Sequence, residues 1–205
     1  IVKSILYTRD EIGNRTKMTT PSGDFLFGYD PNNQLLTSSN PEVTGDFASE
    51  IFNYDQIGNR TSDQLGNYLF DQTKQRLTED YRYYYYHDNN GNLTSKQSKT
   101  LGAEVENFIY NSENQLILFE RYENNVLVKS ADYFYNALGQ RIEKVVTDHQ
   151  NSTNNFTRRY VYHYNEILHE MDATNQILST YTHSGLRTDD TLAVDVSSNG
   201  AQAGI

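Results

Sequence analysis

Five histidines, a series of aspartate-rich segments and a run of four tyrosines are the residues of this chain whose types invite chemistry. His163 and His169 flank a candidate strand in the manner of a metal pair, while His87, His149 and His183 are scattered. No carboxylate is spaced to complete a ligand set, so His163 reads as an aromatic packed in a strand. Asp88-Asn89-Asn90-Gly91-Asn92 offers oxygen ligands like the start of a calcium loop. The later bidentate Glu and the flanking helices of an EF-hand are missing. Ser184-Gly185 sits in no Gly-x-Ser-x-Gly elbow. Paired carboxylates for glycoside hydrolysis leave no mark in spacing, and each recurrent Asp has a turn to make. Tyr83-Tyr84-Tyr85-Tyr86 places rings on both faces of a strand, which suits a strand held between neighbours. Its functional reading is a platform for sugar rings or a client peptide. The expectation is a chain that is not an enzyme and holds no cofactor or metal.

Composition sets what must position these residues. Of 205 residues only 36% are hydrophobic, yet 17 are Tyr and 9 are Phe. A disordered chain is poor in aromatics, so this one is expected to fold. Tyrosine buries a ring while its hydroxyl stays wet or bonded, which suits sheets with one wet face. The net charge is -10 and the pI about 4.9. Such a surface repels phosphate backbones and anionic leaflets, so no nucleic-acid partner is expected. There is no Cys, hence no disulfide framework and no thiolate zinc site. No apolar run approaches the ~18 residues of a membrane span. The chain opens on Ile1 without a signal peptide and reads as an internal piece of something longer.

One pattern recurs: an aromatic, Asp or Asn, two variable residues, Gly or Asn, a polar residue, then a strand. Its copies begin at 10, 30, 55, 71, 88, 111, 136 and 172, so the period is irregular and suits hairpins of variable length. The residues that carry it are Asp10 and Gly13; Tyr29, Asp30 and Asn33; Tyr54, Asp55, Gly58 and Asn59; and Asp88 and Gly91. Tyr110, Asn111 and Asn114, then Tyr135, Asn136 and Gly139, then Asp172 and Asn175 continue the series. A type I turn favours Asp or Asn first, where the side chain bonds back to the backbone. In a three-residue hairpin loop the fourth residue is left-handed and forms a bulge, which Gly tolerates best and Asn next. Only Lys74, in Asp71-Gln72-Thr73-Lys74, breaks that rule.

The flanks alternate as strands do: Phe52-Asn53-Tyr54, Phe108-Ile109-Tyr110 and Tyr133-Phe134-Tyr135 before turns, Arg15 to Met18, Leu116 to Phe119 and Arg141 to Val146 after them. Glu123-Asn124-Asn125-Val126 fits a two-residue type I′ loop. Asp148 to Asn155, Ser38 to Pro41 and Gly102-Ala103 mark the other returns. The reading is an all-β chain: a twisted, curved antiparallel meander of successive hairpins with almost no helix. Five Asn-x-Ser/Thr sequons, at Asn14, Asn59, Asn92, Asn151 and Asn155, follow largely from the repeat itself.

Tyr54-Asp55-Gln56-Ile57-Gly58-Asn59-Arg60-Thr61 resembles the hallmark of the YD-repeat (RHS) family at every position. Tyr162 to Asn165, Leu168 to Asp172 and Tyr181 to Leu186 are similar to its later repeats, so the resemblance covers residues 1–186. Residues 187–205 read as a degenerate repeat or connecting segment. The resemblance implies a long β-sheet that spirals into a hollow shell. Such shells enclose a C-terminal toxin in polymorphic and insecticidal toxins, and teneurins use a similar barrel for adhesion. No match to the family's aspartyl self-cleavage segment occurs before Ile205. The chain therefore reads as an internal stretch of shell or scaffold in a secreted or cell-surface protein. Its expected partners are neighbouring repeats of the same chain and an enclosed C-terminal polypeptide. The alternative is an extracellular adhesin whose Tyr-lined sheet binds glycans or protein.

Overall fold

The computed structural model describes residues 4–45, 48–71, 73–183 and 191–196. These residues form β-strands joined by turns, and helical geometry is confined to short 3-10 segments such as Ser152–Asn154. Among them no helix is long and apolar enough to cross a membrane. The chain divides into two compact units, 1–84 and 85–205.

In the first unit β1 (Leu6–Arg9), β2 (Arg15–Thr20), β3 (Gly23–Tyr29), β4 (Leu35–Ser39) and β5 (Ser49–Ile51) lie side by side in chain order. β6 (Asn53–Tyr54), β7 (Arg60–Asp63) and β8 (Gly66–Asn67) form a second sheet. Between β5 and β6 stands Phe52, whose amide still donates to the Leu36 carbonyl at 2.8 Å, so one extended run serves two sheets. β9 (Leu69–Phe70) and β10 (Leu77–Glu79) pair through Leu77 and Phe70, and β11 (Tyr83–His87) follows.

The second unit continues through β12 (Leu93–Ser98), β13 (Val105–Tyr110), β14 (Leu116–Glu123), β15 (Val126–Tyr135) and β16 (Arg141–Asp148). β17 (Phe156–His163), β18 (Glu166–Met171), β19 (Ile177–His183) and β20 (Thr191–Val196) complete it. From β12 to β20 every neighbour in space is the neighbour in sequence, and every pairing is antiparallel. Most of the segment 187–205 lies outside the described residues; within it β20 is a strand paired to β19.

Burial is sparse, as the low hydrophobic content implies. Among the described residues the buried apolar side chains are Phe52, Val128, Ala131, Val146 and Leu178. On β11 the alternation is visible directly: Tyr84 and Tyr86 are exposed while Tyr83, Tyr85 and His87 are half-buried. The two-residue return at Asn124-Asn125 has φ of 51° and 64°, the left-handed pair that a type I′ hairpin needs. Ser38 and Ser39 belong to β4, so that return begins two residues later than expected, at Asn40.

Candidate functional site

The recurrent turn is a closed hydrogen-bonded unit. At 10, 30, 55, 88, 111, 136 and 172 the first residue's amide donates to the fifth residue's carbonyl at 2.9–3.0 Å, and the fourth residue's amide returns to the first carbonyl at 3.0–3.2 Å. The first residue's Oδ1 accepts the fifth residue's amide in every copy, at 2.8–3.0 Å. The fourth residue is left-handed throughout: Gly13, Asn33, Gly58, Gly91, Asn114, Gly139 and Asn175. The carboxylates gain from these bonds. The Asn92 side-chain amide lowers the pKa of Asp88. At Asp55 burial opposes the charge, but donors from Asn59, Ile57 and Gly58 outweigh it.

The side chain at the fifth position completes the turn in two ways. In three of the Asp-first turns an Asn at the fifth position donates to Oδ2: Asn14 to Asp10 at 3.0 Å, Asn59 to Asp55 at 2.9 Å and Asn92 to Asp88 at 2.9 Å. Where the first residue is Asn, the fifth is Gln and the direction reverses. Asn111 donates to Gln115 Oε1 and Asn136 to Gln140 Oε1, each at 2.8 Å. The same fifth residue also reaches the left-handed position of the next turn. Asn14 Nδ2 donates to Asn33 Oδ1 (3.0 Å), Asn59 Nδ2 to Gln75 Oε1 (2.7 Å), Asn92 Nδ2 to Asn114 Oδ1 (2.8 Å) and Gln140 Nε2 to the Tyr164 carbonyl. Successive turns are thus joined side by side by amides, within each unit.

The tyrosine before three of these turns forms a second link. Tyr29 Oη donates to the Arg15 carbonyl (3.0 Å), Tyr54 Oη to Leu35 (2.8 Å) and Tyr135 Oη to Leu116 (2.8 Å). In each case the acceptor is the residue five after the first position of the preceding turn. A hydroxyl on a ring therefore ties one hairpin to the next. The Arg that follows several turns stacks on the aromatic three residues before the same turn: Arg15 on Tyr7, Arg60 on Phe52 and Arg141 on Tyr133, at 4.9, 4.3 and 5.7 Å.

Two copies depart from the sequence reading. At 71 the left-handed residue is Gln75 (φ 54°), not Lys74. The loop is one residue longer, with the Gln75 amide on the Asp71 carbonyl at 2.8 Å and the Asp71 amide on Arg76. A non-glycine residue with an amide side chain takes the strained position, so Lys74 need not. The copy at 172 is out of phase. Two strand runs separate each pair of earlier turns, but β16, β17 and β18 lie between Asn136 and Asp172. Asp172 and Asn175 therefore stand at the other end of the strands, where Arg159 donates to Asn175 Oδ1 at 2.8 Å. The place the ladder requires is filled by a tight turn at Tyr164-Asn165. Tyr164 is left-handed at φ 54°, and Tyr162 Oη donates to the Arg141 carbonyl at 2.9 Å. The signal was present in Tyr162-His163-Tyr164-Asn165, where the aromatic and Asn survive without the Gly.

The remaining candidates have local duties. His163 lies edge-on to Tyr164 at 4.7 Å and His169 Nδ1 is 3.1 Å from Thr180 Oγ1. Among the described residues no group of three His, Cys, Asp or Glu is placed to hold a metal ion. The sequon side chains Asn14, Asn59 and Asn92 donate to their turn carboxylates, and Asn151 and Asn155 accept bonds that shape the 148–155 loop. Ser184-Gly185 lies outside the described residues.

Fold and turns together define an antiparallel hairpin-repeat protein whose repeats are stitched by amide and tyrosine bonds. No family model matches the chain. It is similar to the tRNA3(Ser)-specific nuclease WapA of Bacillus spizizenii, at 28% identity over 193 residues. It is also similar to the tRNA nuclease WapA of Bacillus subtilis strain 168, at 29% over 193 residues. These alignments cover 87% of the chain, which spans 7% of the length of either curated relative. Among solved structures the Photorhabdus luminescens Tc holotoxin pore with a TccC3 mutation aligns at TM-score 0.56 and 16% identity, covering 87% of this chain and 11% of that one. TcdB2-TccC3 aligns at TM-score 0.35 and 12% identity, over 95% and 14%. The pore likeness shows the fold, and it is consistent with the YD/RHS-type repeat expected from Tyr54 to Thr61. The nuclease relatives overturn the expectation that the chain is not an enzyme. That expectation rests on turn motifs, whose bonds specify backbone conformation and are silent on activity.

Proposed function

We propose that this chain is a length of shell or scaffold wall of the YD/RHS type, in a longer secreted or cell-surface protein that encloses a C-terminal toxin polypeptide. Its similarity to tRNA nucleases makes RNA cleavage the proposed activity of that longer protein. One observation carries the reading. The fifth-position amides and the pre-turn tyrosines bind each hairpin to the next while the strands keep chain order. A sheet built this way lengthens by adding hairpins, with no new fold at each step. Few side chains are buried, so what the sheet faces must come from the rest of the protein or from a partner.

Limited proteolysis of the complete protein tests containment. The polypeptide following the repeats should resist protease in the native protein and be cut promptly when Tyr54→Phe and Tyr135→Phe loosen the wall. Digestion at the same rate in both would show that the repeats enclose nothing.

A further inference from the structure

The second unit carries a cluster of positive charge that the fold leaves uncompensated, in a chain of net charge -10. Tyr133, Lys144 and Arg158 stand directly opposite one another on β15, β16 and β17. Adjacent strands lie roughly 5 Å apart, so the three share one small patch of one face. Lys144 Nζ and the Arg158 guanidinium both lean over the Phe156 ring, at 5.7 and 5.0 Å from its centroid. Arg141 lies beside them between the rings of Tyr133 and Tyr160, and its Nε is buried without an acceptor.

Among the described residues none of these three cations has a carboxylate within ion-pair distance, although Lys17, Lys96, Arg121 and Arg159 all do. The nearest acidic groups are otherwise placed. Glu170 is opposite Tyr160 and Asp148 opposite Lys129, while Asp172 feels the charge of Arg158 but spends its hydrogen bonds within its own turn. Burial and the charges of Arg141, Lys129 and Arg158 all press Lys144 toward its neutral form. Half-buried like charges over a ring are costly unless an anion meets them.

From this geometry we infer that the face formed by Arg141, Lys144 and Arg158 is a docking site for an acidic segment of polypeptide, whose carboxylates supply the missing counter-charge. Carboxylates match these donors: a guanidinium offers a planar fork and an ammonium a point charge. A nucleic-acid strand fits less well. Its phosphates would extend beyond the patch onto a surface of the opposite preference. The rings on which bases would stack are covered by the cations themselves. The site stands on the sheet face and does not depend on whether the wall closes around a cargo.

Fluorescence anisotropy with a labelled hexaglutamate peptide tests it on the whole chain, with hexauridylate as the competing polyanion. Hexaglutamate should bind the wild type in a salt-dependent way, and the Lys144→Gln, Arg158→Gln double variant should bind about tenfold more weakly. Lys17→Gln, in the first unit, should bind as the wild type does. The double variant should keep the wild-type circular dichroism, which shows that it folds although its contacts with Phe156 are lost. No binding by the wild type, or equal binding by the folded double variant, would overturn the site. Tighter binding of hexauridylate than of hexaglutamate would overturn the acidic-polypeptide assignment in favour of nucleic acid.

Discussion

At Asp71 one carboxylate accepts the Thr73 hydroxyl at 2.6 Å and the amides of Thr73 and Lys74 at 2.7 and 3.0 Å. These donors hold its pKa at about 2. Asp88 and Asp172 are lowered too, chiefly by the side chains of Asn92 and Thr174. Because the folded pKa lies below the unfolded value of 3.8, this stabilisation is fully present above about pH 4. It fades as pH falls toward about 2, where Asp71 protonates. Urea midpoints should therefore fall between pH 6 and pH 2.5, and Asp71→Asn should fall less steeply over that range. Tyr135 shows a different residue-scale link, a neutral bond from Oη to the Leu116 carbonyl. Tyr135→Phe should cost about 1 kcal/mol in urea denaturation, with the secondary structure unchanged.

Turns and strands set the next scale, where space decides more than charge. Gly13 has φ of 95° and nothing within 4 Å of where a Cβ would stand. Gly66 has φ of 152°, and a Cβ there would meet Tyr81 Cβ at 2.7 Å. Asn already occupies the left-handed position of three other turns, so Gly13→Asn should change stability by less than about 0.5 kcal/mol. Gly66→Ala combines backbone strain with a clash between two Cβ atoms and should lose about 2 kcal/mol or more. Thermal melts of the two variants side by side would check the contrast. The turn at Tyr164-Asn165 keeps the ladder in step without a glycine because Gln140 bonds the Tyr164 carbonyl. Repeat phase thus belongs to strand count and not to motif spelling.

Over the whole molecule, cohesion is spread thinly through hydrogen bonds and cation–ring contacts, with little apolar core. Val146 is 2% exposed and faces Ala131 and Phe156 on the neighbouring strands. Val146→Ala should cost about 1–2 kcal/mol, whereas Ile12→Ala, at a turn tip 70% exposed, should be near neutral. Urea midpoints would separate them. The Arg141–Lys144–Arg158 patch stands apart from the acidic balance of a chain of net charge -10.

Much of the fold was determined by the sequence alone because its signals are local. Asp or Asn first and Gly or Asn fourth dictate a turn within five residues, whatever surrounds them, and alternating aromatics on either side dictate strands. Asn124-Asn125 specified its own left-handed hairpin in the same way. What only the tertiary structure decided is which turn stands beside which. The reach of Asn14 to Asn33, the tie of Tyr54 to Leu35 and the displacement of Asp172 to the far end of the strands all depend on strand order and bulge positions. So does the patch at Lys144, whose members are ordinary solvated cations in sequence. They become an uncompensated group only when β15, β16 and β17 set them side by side. A five-residue turn encodes its own hydrogen bonds, but it cannot encode its neighbour, because that contact spans some twenty residues of intervening chain.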